Sequence, residues 1–197
     1  MGLIPTTGNL PHPGGAFSGN VLWLVDGDHS LIDALTWMDQ LTDDAERVSN
    51  VSEVVKACQK RAIAKSRPVD FLALFGHGMS GYQSAGAGKR KENTGTRSLY
   101  YRRVSRPGES LLTGPAEQTL SGLNGVLADN AKIHLGGCNV GEGDDGTGLL
   151  TAVSKCLNNR AVQGFESAIY PWMGVAIGTL KVAVGDSVTT SFECLSL

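Results

Sequence analysis

The sequence predicts an α/β protein, a three-layer sandwich around a largely parallel central sheet. Short apolar runs alternate with stretches whose apolar residues recur at helical spacing, the pattern that strand–helix–strand crossovers produce. Three of the apolar runs stop at glycine beside a polar or reactive side chain, which puts turns at their carboxyl ends. Composition agrees with this class. The 197 residues are 41% hydrophobic and 18% charged, with a formal charge of −2. A chain of this length buries roughly 70% of its unfolded surface and needs no disulfide or metal to hold a core. Ordinary apolar content excludes global disorder. A near-neutral balance disfavours a basic nucleic-acid binder, and no apolar run approaches the roughly 20 residues of a membrane span.

Taken in order, residues 1–18 read as a Gly/Pro-rich leader without the basic start and apolar stretch of a secretory signal. Gly2 to Thr6 matches the loose N-myristoylation pattern, but a plain leader is the preferred reading. The remainder, 19–197, reads as a single domain with a loop insertion at about 79–115. Residues 20–25 (NVLWLV) form a buried strand that ends at Asp26-Gly27-Asp28. Ser30 caps a helix in which Leu31, Ala34, Leu35, Met38 and Leu41 share a face. A second helix runs from 52 to about 65 and is stopped by Pro68. Residues 69–75 (VDFLALF) form a second buried strand ending in Gly76-His77-Gly78.

The insertion is rich in Gly, Ser and charge and reads as exposed, with a short strand or hairpin arm at 98–104. A helix is expected over 116–127, a third strand over 132–135 (KIHL) ending in Gly136-Gly137-Cys138, and a helix over 148–157. Strands at 161–165, 175–184 and 188–192 complete the expected elements.

The four cysteines are widely spaced and form no CxxC pair, so neither a zinc site nor a disulfide framework is signalled. Reduced thiols and a cytoplasmic setting are expected. Cys58, Cys156 and Cys194 fall on helix or strand faces and read as structural. His134 reads as a core or edge histidine with its hydrogen bond satisfied, His29 as a turn residue, and His12 as part of the leader. The segment SAGAGKR fails the spacing of a phosphate-binding loop, and Asp144-Asp145-Gly146 lacks the alternating oxygen ligands of a calcium loop. No cofactor and no metal are therefore expected.

The chemistry lies at two strand ends built on one plan. FLALFGHG and KIHLGGC each place a reactive side chain after an apolar strand and among glycines. In parallel sheets ligands bind beyond the carboxyl ends of the strands, where Asp26 and Asp28, His77 and Cys138 would converge. A cysteine there can act as a thiolate nucleophile, a neighbouring histidine can transfer the proton, and backbone N–H groups can hold an oxyanion.

These residues resemble the caspase-like (clan CD) cysteine peptidases: a strand followed by His77-Gly78, then a second strand followed by Cys138. The run GGCNVGEGDDGTG resembles the cysteine segment of bacterial caspase-like domains. The spacing from His77 to Cys138 exceeds the roughly 50 residues of caspases, and the inserted loop accounts for the excess. The caspase signature Gln-Ala-Cys-x-Gly is absent, which leaves aspartate specificity without support. The resemblance implies a caspase-like fold, Cys138 as nucleophile, His77 as general acid for the leaving amine, and Gly78 as an oxyanion donor. It also implies a protein or peptide substrate, with an activating protein as a further partner; charge balance and the absence of a long apolar run leave neither nucleic acid nor membrane as an expected partner.

Asp26, Asp28, Asp144 and Asp145 are the expected substrate-binding carboxylates, and they favour a basic residue at the cleaved position because arginine pairs with them bidentately. Trp172 is expected to wall the pocket or to enter the core. Lys89, Arg90, Lys91, Arg97, Arg102, Arg103 and Arg106 crowd the insertion, making it a candidate for self-processing. Two other functions fit the same pattern: a catalytically inactive caspase-like interaction domain, and a flavodoxin-like regulatory domain.

Overall fold

The computed structural model describes residues 19–27, 45–86, 96–101, 112, 115–168 and 175–196. The chain runs through β1 (Val21–Asp26), β2 (Ala45–Val48), α1 (Val51–Lys65) and β3 (Val69–Phe75). Then follow the short strands β4 (Gly78–Met79), β5 (Tyr82–Ser84) and β6 (Ser98–Tyr100). The second half comprises α2 (Ala116–Leu120), a 3-10 turn, β7 (Leu127–Gly136), α3 (Gly143–Cys156), β8 (Ala161–Phe165), β9 (Val175–Val184) and β10 (Ser187–Ser196). No described helix is long and apolar enough to cross a membrane.

Seven strands make one mixed, mostly parallel sheet in the order β10-β9-β8-β7-β3-β1-β2. Strands β2, β1, β3, β7 and β8 are mutually parallel, and β9 and β10 add an antiparallel edge. The three small strands form a separate antiparallel sheet that folds back after β3. The steps β2 to β3, β3 to β7 and β7 to β8 all cross the sheet in one direction, so right-handed crossovers place their helices on one face. Accordingly, Leu22, Leu24, Leu72, Leu74, Ile133 and Leu135 pack with residues of α1, α2 and α3 in one core. The alternate positions Trp23, Val25, Phe71, Ala73, Phe75, Phe165 and Leu180 form an aromatic-rich cluster on the other face, which contains no residue of the described helices.

Helix α1 forms where the spacing predicted it. Asn50 Oδ1 accepts from Glu53 N at 2.9 Å, while Glu53 Oε2 accepts from Ser49 N at 2.7 Å, a reciprocal cap worth about 1 kcal/mol. Val51, Val54, Val55, Ala57 and Cys58 are buried, and Ser66 closes the helix in a left-handed conformation ahead of Pro68. Each fully buried valine contributes roughly 1.5–3 kcal/mol, more than the cap does, so packing dominates.

The described part of the insertion, expected to be exposed, instead buries Tyr82, Gln83, Ser84, Ala85, Ser98 and Leu99, and four elements differ from expectation. Strand β2 has only four residues and no apolar run; it exists through its pairing with β1. Strand β7 begins at Leu127, because a register shift opposite Val69 and Phe71 absorbs the exposed residues Asp129 and Asn130. The helix expected over 116–127 is cut short to match, with the 3-10 turn Ser121–Gly125 leading into the strand. Helix α3 starts at Gly143 rather than at 148, and a Cβ on Gly148 would strike the ring of Tyr101, so this glycine is a packing choice. The helix expected after Ser30 lies outside the described residues.

Candidate active site

Strand β3 delivers His77. The chain turns back immediately after it: Ser84 N donates to His77 O at 2.8 Å, and Gly78 faces Gln83 across the β4–β5 hairpin. His77 is half-buried, with its Nε2 covered from solvent. The neighbouring strand β1 ends in Asp26, whose buried carboxylate accepts a hydrogen bond from the Ser84 hydroxyl. A Cβ on Gly76 would lie 2.9 Å from the Asp26 Cβ, so the ends of β1 and β3 are in close contact.

Strand β7 delivers Cys138, which is half-buried and packs against the aromatic cluster. The turn that carries it is held on both sides. Gly137 N donates to Gln83 Oε1 at 2.8 Å, Asn139 N to Ser167 O at 2.9 Å, and Gly141 N to Phe165 O at 2.8 Å. Asn139 sits at φ 58°, a left-handed conformation that asparagine tolerates better than most residues. A sharp turn directly after the cysteine is thereby built into the backbone.

The two strand ends meet at glycine. A Cβ on Gly78 would lie 2.6 Å from Gly137 Cα, and a Cβ on Gly137 would lie 2.6 Å from Gly78 Cα. The residue after His77 and the residue before Cys138 therefore touch backbone to backbone, and His77 and Cys138 share one edge of the sheet. The hairpin also orients Gly78. His77 and Ser84 form the hydrogen-bonded pair, so Gly78 and Gln83 form the next, non-hydrogen-bonded pair, and the Gly78 N–H is directed away from β5. That orientation aims it outside the hairpin.

Among the described residues, the other expected carboxylates Asp26, Asp144 and Asp145 have different neighbours. Asp145 packs against Gly81 of the hairpin, whose Cβ would lie 2.9 Å from the Asp145 Cβ. Asp144 is exposed on the flank of α3, beside a cavity of about 440 Å³ shared with Tyr101, Thr147, Lys155 and Asp186. Asp28, Trp172 and most of the basic insertion lie outside the described residues. Arg97 is described: its Nε donates to Ser49 O at 3.4 Å, at the wall of a second cavity of about 490 Å³ beyond β2. Among the described residues no three His, Cys, Asp or Glu side chains gather as a metal would require.

Two of the other thiols are chemically set apart, and the side chain of Cys194 lies outside the described residues. Burial pushes the Cys58 thiol up to about 12, with the nearby Glu46 charge adding to it. Burial likewise pushes Cys156 up to about 11, and its Sγ donates to Glu117 O. His134 is fully buried between Phe75 and Phe165, with Gln163 Nε2 bonded to its Nδ1 at 3.3 Å. Its Nε2 has no hydrogen-bond partner, so only half of the satisfaction expected from sequence is present. Burial lowers its pKa to about 3, which makes it a neutral core residue.

Gln83 escaped the sequence reading. It lies in a Gly- and Ser-rich stretch, and nothing local distinguishes a buried glutamine there from a loop residue. Its importance is visible only from its contact with Gly137 across the chain. No family model matches the chain, and no curated protein or solved structure is significantly similar to it.

Proposed function

We propose that this chain is a cysteine endopeptidase of caspase-like architecture, with Cys138 and His77 as its catalytic dyad. The observation that carries the reading is the backbone contact between Gly78 and Gly137, which sets the histidine-bearing and cysteine-bearing strand ends side by side. The position within the sheet supports it. Counted alone, the five parallel strands run in the order 2-1-3-4-5, whose reversal lies between β1 and β3. Ligands of such sheets bind beyond the carboxyl ends at that reversal, where Asp26 and His77 lie.

In the proposed reaction the Cys138 thiolate attacks the scissile carbonyl, and the new oxyanion is held by the Gly78 N–H. The C–N bond breaks as His77 gives its proton to the leaving amine, and water then hydrolyses the thioester. The preference for a basic residue at the cleaved position is a separate part of the proposal; Asp26 ends β1 beside β3 but is buried and accepts from the Ser84 hydroxyl. The test is a panel of fluorogenic peptides bearing Arg, Lys, Asp or Ala at that position. Wild type is expected to cleave the Arg and Lys peptides and Cys138→Ala to cleave none. Equal turnover by the two proteins overturns the reading.

The 2-1-3-4-5 order also favours a second reading, a flavodoxin-like ligand-binding domain. A thermal shift with inorganic phosphate or a flavin nucleotide, together with absence of peptide cleavage, selects it.

A further inference from the structure

We propose that Gln83 is a positioning residue for Cys138, coupling the β4–β5 hairpin to the turn that carries the thiol. The inference rests on the peptidase reading for its kinetic readout and for the roles of Gly78 and Cys138. Gln83 is fully buried and its amide is used at both ends: Oε1 accepts from Gly137 N at 2.8 Å, and Nε2 donates to Ser84 O at 2.9 Å. Gly137 immediately precedes Cys138, so the glutamine sets the orientation of the peptide plane leading into the nucleophile. The same hairpin carries Gly78, the oxyanion donor, on the face that contacts Gly137. One side chain therefore holds the donor and the nucleophile in mutual register. It does so from β5, within the insertion, so the insertion and the turn that carries the cysteine are joined through this amide.

A buried amide that lost this acceptor would leave the Gly137 N–H unsatisfied, and the turn would rotate to find another partner. Misplacement of a reacting group by about 1 Å costs on the order of 100-fold in rate. Gln83→Met removes donor and acceptor at nearly constant volume. Gln83→Glu restores one donor and one acceptor only while its carboxyl is protonated.

The experiment measures kcat and KM on the cleaved peptide as a function of pH for wild type, Gln83→Met and Gln83→Glu, each with its melting temperature. Gln83→Met is expected to lose about 100-fold in kcat with KM changed by less than about twofold. Gln83→Glu is expected to regain activity as pH falls. A Gln83→Met enzyme that is folded and keeps kcat within about twofold of wild type overturns the proposal, as does a Gln83→Glu profile parallel to wild type. Should wild type cleave no peptide, the peptidase reading fails by itself, and the pH–rate profile of Cys138 alkylation by iodoacetamide decides the role of Gln83. A profile displaced in Gln83→Met upholds it, and superimposable profiles overturn it.

Discussion

Gly78 and Gly137 approach so closely that neither position has room for a side chain, since a Cβ on either would lie 2.6 Å from the other's Cα. A contact of this kind can be made only by two glycines. It brings together the carboxyl ends of β3 and β7, two strands separated in the chain by the whole insertion. Alanine at either position must push the strand ends apart. Overpacking of this type costs about 1–3 kcal/mol, so Gly78→Ala and Gly137→Ala are each expected to lower unfolding free energy by that much in urea titrations. Gly125, with nothing within 4 Å of a built Cβ, is the control, and Gly125→Ala should stay within about 0.5 kcal/mol of wild type.

Iodoacetamide should discriminate among the thiols. With Cys58 pushed up to about 12 and Cys156 to about 11, fewer than about one in a thousand of either is thiolate at pH 8. Cys58 is in addition buried. Peptide mapping after brief labelling is expected to find Cys138 modified well ahead of both. Comparable labelling of Cys58 in the folded protein would contradict the burial on which this rests.

His134 should make the fold sensitive to acid. Its pKa is lowered to about 3 in the folded protein and returns to the ordinary 6.5 on unfolding. Above 6.5 the group is neutral in both states and contributes no pH dependence. Between 6.5 and about 3 the unfolded chain binds the extra proton, so stability falls as pH falls, by roughly 5 kcal/mol over the whole window. His134→Phe is expected to flatten that slope by about one proton in unfolding curves collected across this range.

Arg160 is predicted to anchor the amino-terminal side of β7 and β8. Its buried guanidinium donates to the carbonyls of Ala128, Leu157, Asn124 and Leu127 and to Asn124 Oδ1. Arg160→Met strands those acceptors and should cost about 3–5 kcal/mol. Its ion-pair partner Asp129 is exposed at 3.7 Å, so Asp129→Ala should cost less than about 0.5 kcal/mol. Urea titration of the two variants separates a network of carbonyls from an ion pair.

If the insertion is a substrate of its own peptidase, purified wild type should be cut between Lys89 and Arg106 on incubation while Cys138→Ala stays whole. Identical banding of the two on a gel removes self-processing without touching the dyad.

Much of this fold was legible in one dimension. β3 begins and ends where its apolar run does, at Val69–Phe75, because a buried parallel strand is apolar on both faces, and β8 spans the expected Ala161–Phe165. Helix α1 was visible through its spacing, its cap and Pro68. The strand β2 was not, because Ala-Glu-Arg-Val carries no period and pairs only because β1 lies beside it. The start of β7 was hidden by Asp129 and Asn130, which interrupt the apolar pattern where the register shifts. The first turn of α3 was hidden because Gly143 and Gly146 signal a loop in a sequence, whereas Gly146 packs against the Gly141 backbone with no room for a Cβ.

The site divides in the same way. From its own residues the chain determined that His77 and Cys138 stand at strand ends among glycines, since apolar runs and turn residues are local signals. Tertiary structure alone decided that these two ends are neighbours, that Asp26, Asp144 and Asp145 point to different surroundings, and that a buried glutamine grips the turn before the cysteine. The physical reason is that parallel strands are joined by backbone hydrogen bonds between distant segments, and those bonds leave almost no mark on side-chain identity.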